Sequence, residues 1–518
     1  MLKETIIPLR MKAFARAFPK VIETRYQSFC LFLILTVALL CRLYPLNRGL
    51  GQDELYTAVH FVEVRSFWKT VFSNDAFNNH IGYSLMARFS ESLLGRSEWA
   101  LRLPALMLGM ATLYIFLIFA RSILGSIPAL LGTLVLAFSP PNIVWSVEAR
   151  GYSAMIFCTL LSSHLYFKLL RHPTRHDAIL FVGISVFGIY VHLYSAFVTV
   201  VQILILLRMA AAQRVAQRTD LSININRTSL QMFGGCFAAI VALSLILYLP
   251  VFRYMFRDLV GRGRTPFNPT FPWTVIRDLT GSEWPQIVLL ILMISAFGWL
   301  FLLRSRPIEA HYFAGLLIGP LLLMWLARPF DLYPRFFAYW LPYYVLLFIA
   351  GLRSFWDLKS VSVAAPWAAS TPLFGKLHFY KTIIARRSLF VIASSARILS
   401  GVMIAAVLYN WLVTWQKYIP DEGYREASKA IMMDAKDSVA FCVLGGARSV
   451  WRYYIDRPIV TPLSLAELQK VSRNHTEVRC LYYEASWQSV EQTEIAKFLF
   501  QHSSWARVKG VTLFIYRS

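Results

Sequence analysis

Apolar runs close to the length of a bilayer-crossing helix recur along the chain and alternate with short polar segments. About eleven are distinguishable by hydropathy, at 26–46, 99–120, 126–144, 151–170, 177–191, 194–210, 230–250, 286–303, 311–327, 336–352 and 389–412. The pattern predicts a mainly helical, polytopic membrane body over 26–412, preceded by a basic N-terminus over 1–25. No small-residue cleavage site follows the first run, so an uncleaved first span is expected. From 413 to 518 the period changes, and alternating helix and strand signals predict a small α/β domain. Helix signals lie at Tyr424 to Met433 and Thr493 to Phe500, and a capping box at Ser464 to Glu467 opens a third helix. Strand signals lie at Ser438 to Leu444, Val478 to Tyr483 and Val511 to Tyr516.

Composition supports a membrane chain, with 57% hydrophobic and only 15% charged residues. The net charge of +24 invites a nucleic-acid reading, but the basic residues sit in short segments between apolar runs, where they act as orientation signals and lipid-headgroup contacts. Nucleic acid is therefore not an expected partner, and membrane lipids are. With the N-terminus cytoplasmic, Lys168, Arg171, Arg175, Arg304 and Arg306 fall on the cytoplasmic side, as the positive-inside rule requires. The opposite face then receives the first loop 47–98, the loops 145–150, around 192, 251–285 and 328–335, and the tail. The six cysteines show no metal-binding spacing. Cys442 and Cys480 fall in predicted strands on the oxidising side, where either a disulfide or simple core packing fits.

The candidate chemistry collects on that face. The first loop contains Asp53-Glu54-Leu-Tyr56, then Asn78-Asn79-His80-Ile-Gly-Tyr83, then Glu98-Trp-Ala-Leu-Arg102-Leu-Pro104. The third contains Ser146-Val-Glu148-Ala-Arg150-Gly-Tyr152. This ordered set resembles the membrane glycosyltransferases related to dolichyl-phosphate-mannose protein mannosyltransferases and the aminoarabinose lipid A transferase. In their bacterial branch an Asp-Glu pair, a histidine before Pro-Pro, a Glu-x-x-x-Arg-Leu-Pro segment and Ser-x-Glu-Ala-Arg-x-Tyr follow in order. Ile81-Gly82 replaces the usual Pro-Pro here. The resemblance implies a GT-C fold with a C-terminal extracytoplasmic domain. It also implies transfer of one sugar from a polyprenyl-phosphate donor to an acceptor hydroxyl on protein, lipid or polysaccharide, with a bacterial inner membrane the expected location, although endoplasmic reticulum would give the same hydropathy.

Residue chemistry is compatible with that implication. Polyprenyl phosphate leaves as a stable anion, so one base and cationic support suffice. Asp53 is the expected base, acting with inversion at the anomeric carbon; Glu54 is the alternative, and a solvated loop or helix start is the bland reading of both. Tyr56 is a substrate-binding candidate by its place in the first motif. Glu148 is expected either to join Asp53 in holding a divalent metal (Mg or Mn) or to bind the sugar, while Arg150 holds the phosphate; a loop ion pair is the bland alternative. Arg253, Arg257, Arg262 and Arg264 sit in a basic loop where basic residues are normally sparse, and with Arg335 they are phosphate candidates, against simple headgroup snorkelling. His80 is a secondary candidate by its motif position, and His192 is read as a satisfied interface histidine. The class-distinct alternative is a transporter or flippase of a lipid-linked sugar, against which stands the lack of an internal repeat. A catalytically silent scaffold is the third reading, opposed by the intact acids.

Overall fold

The computed structural model describes residues 6–73, 78–215, 227–261, 266–329, 332–356, 398, 400–413, 422–444, 448–483 and 490–517. Among them, eight helices are long and apolar enough to cross a bilayer. Helices Ser126–Phe138 and Pro140–Ser146, bent by 64°, make a ninth if counted as one span. Pro140 accounts for the bend: it offers no N–H to the preceding turn and holds Ser139 extended, with ψ of 122°. Two further apolar runs are helical but shorter, Arg175–Val191 with 17 residues and Ser400–Val413. Residues 389–397 of the last expected run lie outside the described residues.

Membrane helices associate through close approach and interhelical hydrogen bonds, because lipid provides no hydrophobic drive between them. Helix Pro285–Ser305 lies so near Leu341–Trp356 that a Cβ on Gly298 would stand 1.9 Å from the Leu347 carbonyl oxygen. Ser163 Oγ meets the hydroxyls of Tyr312 and Tyr343 at 2.6 and 2.7 Å, joining three helices.

The C-terminal domain is an α/β unit with a five-stranded sheet. Its strands are β1 (Val439–Leu444), β2 (Ile459–Val460), β3 (Glu477–Tyr483), β4 (Ser504–Val508) and β5 (Val511–Tyr516), in the order β2-β1-β3-β5-β4. β1 pairs in parallel with β2 and β3, and β5 pairs antiparallel with β3 and β4. Cys442 and Cys480 are directly opposite in register and form a disulfide, the first of the two readings the sequence allowed. Alternation along the strands gives the sheet two apolar faces. Ala440, Cys442, Cys480 and Phe514 face helix Val490–His502. Phe441, Val443 and Leu481 face the membrane body, where they share one core with Leu50, Leu55, Ala58, Tyr83 and Ala149. The tail is thus seated on the first loop, whose short helices are Gln52–Thr57, Phe67–Phe72 and Ile81–Leu94.

Candidate active site

Helix Gln52–Thr57 brings Asp53 and Glu54 onto different sides of one turn, and they enter different environments. Glu54 is buried. Arg102, reaching from helix Glu98–Leu124, donates to it twice, Nε to Oε1 at 2.7 Å and Nη2 to Oε2 at 2.6 Å. The Ala149 N–H donates to Oε1 at 2.7 Å and the Gly51 N–H to Oε2 at 2.9 Å. Burial by itself pushes the Glu54 carboxyl up, but the Arg102 guanidinium and these donors hold it well below the usual carboxylate range. Arg102 also donates to the carbonyls of Leu46, Arg48 and Gly49 at 2.7 to 3.0 Å. Glu54 and Arg102 therefore lock the end of the first span, the first loop and the third loop together. With each of its oxygens holding two donors, Glu54 has little capacity left to accept a substrate proton.

Asp53 is half-buried, and its Oδ2 meets Arg335 Nη2 at 2.9 Å. Arg335 stands in the 3-10 turn Pro334–Trp340 that opens a span, with its guanidinium 4.5 Å over the Tyr333 ring. Glu148, in the turn before helix Tyr152–Arg171, is half-buried within electrostatic reach of Glu54, Arg335, Asp53 and Arg150. Burial first, and Glu54 next, push its carboxyl up to about 7 against the pull of Arg335. Arg150 is buried and donates to Thr57 Oγ1 at 2.9 Å and to the Asn78 carbonyl and Oδ1 at 3.0 and 2.6 Å. These partners are neutral, and no carboxylate among the described residues hydrogen-bonds Arg150, so its charge remains available to an anion.

A ring of aromatic and imidazole groups closes the apolar side. His80 Nδ1 accepts the Gly151 N–H at 2.7 Å, which leaves the proton on Nε2. Burial, then Arg150, His192 and Arg335, hold His80 well below its usual range, so it stays neutral. Its ring packs edge-on against Tyr152 at 5.2 Å and His192 at 4.8 Å. The buried Tyr152 hydroxyl has no hydrogen-bond partner among the described residues. Tyr56 stacks on His60 at 4.2 Å, and His60 Nε2 meets Ser449 Oγ at 2.7 Å, so that side of the helix faces the C-terminal domain.

Four expected residues, Asp53, Glu148, Arg150 and Arg335, come together from three well-separated stretches of the chain. Arg262 and Arg264 lie outside the described residues. The described residues include no group of three or more His, Cys, Asp or Glu placed to hold a metal ion. Asp53 is held by Arg335 here, and no step of the reaction is routed through a metal.

Several partners escape sequence reading. Arg102 and Glu98 stand in a quoted motif without an assigned role; Glu98 accepts from Arg425 at 3.3 Å and from the Tyr454 hydroxyl at 3.2 Å, docking the tail. His192 is buried in the ring, and burial, then Arg150 and Arg335, lower it to about 3. Its one signal is its place in the break between two apolar runs. Glu422, from the tail, accepts the Gln52 N–H at 2.8 Å, and no local pattern marks it.

Residues 78–223 match the family model of dolichyl-phosphate-mannose-protein mannosyltransferases. The whole chain is similar to the crystal structure of ArnT from Cupriavidus metallidurans in the apo state, with a TM-score of 0.58 and 11% identity over 94% of this chain and 97% of that one. The chain has the GT-C fold. The chain is also similar to the same protein bound to undecaprenyl phosphate, with a TM-score of 0.53 and 12% identity over the same shares. No curated protein sequence matches it. The GT-C fold and the apolar helices make it an integral, multi-pass membrane protein.

Proposed function

We propose that this GT-C chain is an inverting glycosyltransferase that moves a monosaccharide from a polyprenyl-phosphate carrier to an acceptor hydroxyl on the extracytoplasmic face of a bacterial inner membrane. The observation that carries the reading is the open Asp53–Arg335 pair, 2.9 Å apart, where the first loop, the third loop and the late turn 334–340 meet. A carboxylate and a guanidinium in such a pair match the two charges the reaction handles, a proton leaving the acceptor and a negative charge growing on phosphate.

Asp53 accepts the proton of the acceptor hydroxyl as its oxygen bonds to the anomeric carbon. The bond from that carbon to the phosphate oxygen breaks, and its electron pair leaves with polyprenyl phosphate. Arg335 turns from Asp53 to the incoming phosphate, which frees the carboxylate for its proton, and Arg150 adds the second charge. Glu54 acts through Arg102 as a positioning residue. Glu148, His80 and the Tyr152 hydroxyl offer polar atoms to the sugar, with the C-terminal domain over the acceptor side. A similar structure, of ArnT, holds undecaprenyl phosphate, which supports a carrier of that chemistry. The Lys and Arg bias of the short loops and the Cys442–Cys480 bond in the tail support the extracytoplasmic side.

The test is transfer from a synthetic polyprenyl-phosphate sugar by the full chain in lipid nanodiscs, with membrane extract as acceptor and no transmembrane gradient. Labelled product and free polyprenyl phosphate are the expected outcome. Movement of intact lipid-linked sugar across liposomes, without cleavage of the sugar–phosphate bond, would establish the flippase reading instead.

A further inference from the structure

Helix Gln52–Thr57 carries Asp53 yet begins without a side-chain cap, because Gly51 occupies the N-cap position. Half of a capping box is present, the Gly51 N–H donating to Glu54 Oε2 at 2.9 Å. A glycine has no side chain with which to return the bond. The first helical N–H, that of Gln52, is one of the donors every helix leaves over at its start. Its acceptor lies 370 residues away, where Glu422 Oε2 takes it at 2.8 Å.

The C-terminal domain delivers Glu422 to this point with little freedom. The next residue, Gly423, turns the chain into helix Tyr424–Met432 with φ of +81°, and a Cβ there would stand 2.8 Å from Lys509 Cβ. On either side the docking is fixed by the Tyr454 hydroxyl, which accepts the Leu50 N–H at 2.8 Å, and by Arg425, which donates to the Asn47 carbonyl at 2.7 Å. Charge makes this placement expensive. Burial, and after it the negative charges of Asp53 and Glu54, push the Glu422 carboxyl up. A neutral side chain would dock on the same apolar surface at less electrostatic cost. What offsets the charge is the bond to the Gln52 N–H, with the nearby Arg48 guanidinium and the contact to the Tyr483 hydroxyl.

We propose that Glu422 is a positioning residue for Asp53: the C-terminal domain caps the catalytic helix from outside its own sequence and so sets where the Asp53 carboxylate meets the acceptor hydroxyl. The domain is then part of the reaction geometry as well as a cover over the first loop. This rests on the reading of Asp53 as the base.

The experiment uses the full chain in nanodiscs, a synthetic polyprenyl-phosphate sugar and the wild type and Asp53→Asn as references. Glu422→Ala lowers kcat about tenfold or more, since an ångström of misplacement costs up to roughly a hundredfold, and leaves the donor KM and the melting temperature where they were. Glu422→Gln keeps an oxygen for the Gln52 N–H and recovers most of kcat. Gly51→Ser in the Glu422→Ala background recovers part of it by completing a local Ser-x-x-Glu box. An unchanged kcat in Glu422→Ala overturns the proposal. So does a loss that tracks melting temperature across the variants, or a failure of both Glu422→Gln and Gly51→Ser to restore rate. An Asp53→Asn variant as fast as the wild type instead removes the base assignment itself, whatever Glu422 does.

Discussion

Asp53 and Glu54 are neighbours in the chain, and each meets an arginine, but the two pairs are built in opposite ways. At Glu54 and Arg102 the side chains are 2% and 0% exposed, and the carboxylate takes four donors. At Asp53 and Arg335 they are 33% and 38% exposed, and the buried Arg335 Nε has no partner among the described residues. A closed pair holds loops in place; an open one has capacity to exchange partners when substrate arrives. One acid therefore has a structural place and the other the proposed chemistry, although residue type and sequence position hardly distinguish them.

Breaking the closed pair has the largest expected effect. Arg102→Ala leaves a buried, uncompensated carboxylate, and removing one partner of such a pair costs about 3–5 kcal/mol. Thermal unfolding of the detergent-purified variant checks this, and a melting temperature equal to wild type would place Arg102 outside the framework. Next comes the open pair. Asp53→Asn is expected to lower turnover at least about a hundredfold, as lost general-base catalysis does, with little change in melting temperature because the site is half-exposed. Near-normal transfer would end the base assignment. Smaller again is Arg335→Ala, which forfeits a charged hydrogen bond of about 1.5–3 kcal/mol. Competition with polyprenyl phosphate should show binding weakened by roughly tenfold or more, and unchanged affinity would remove Arg335 from the phosphate site.

The smallest effect concerns Glu148, which lies between the two pairs. Its carboxyl is raised from 4.5 to about 7 in the folded protein. The folded state therefore holds its proton more tightly than the unfolded one, so this group's contribution to stability is full below pH 4.5 and is lost as pH rises through 7. Glu148→Gln removes that dependence. The melting temperature of the variant should gain on the wild type between pH 5 and pH 8, and parallel curves would show that Glu148 does not titrate in this window.

Much of the architecture is legible along the chain. All eleven apolar runs correspond to helical segments, counting the bent pair at Pro140 and the partly described last run, because burial in lipid imposes a length and a polarity that local sequence must satisfy. The tail helices and three long strands follow equally local signals, and the edge strands β2 and β4 are absent from that reading: β2 has two residues, and β4 is largely exposed and lacks a core-facing alternation. The site is half legible. Asp53, Glu148, Arg150 and Arg335 stand out as charges beside apolar runs, where an unpaired charge is expensive. Arg102, His192 and Glu422 do not, since each derives its place from a partner distant in the chain.

Hydropathy and motif order alone determined that this chain is a polytopic membrane protein with an α/β tail and an acidic first loop, because those properties are sums over neighbouring residues. Which acid is sealed and which stays open, and that the tail caps the helix bearing Asp53, was decided only by tertiary structure. Burial and hydrogen bonding depend on groups 48, 95 and 370 residues away, and no local pattern records where those groups come to rest.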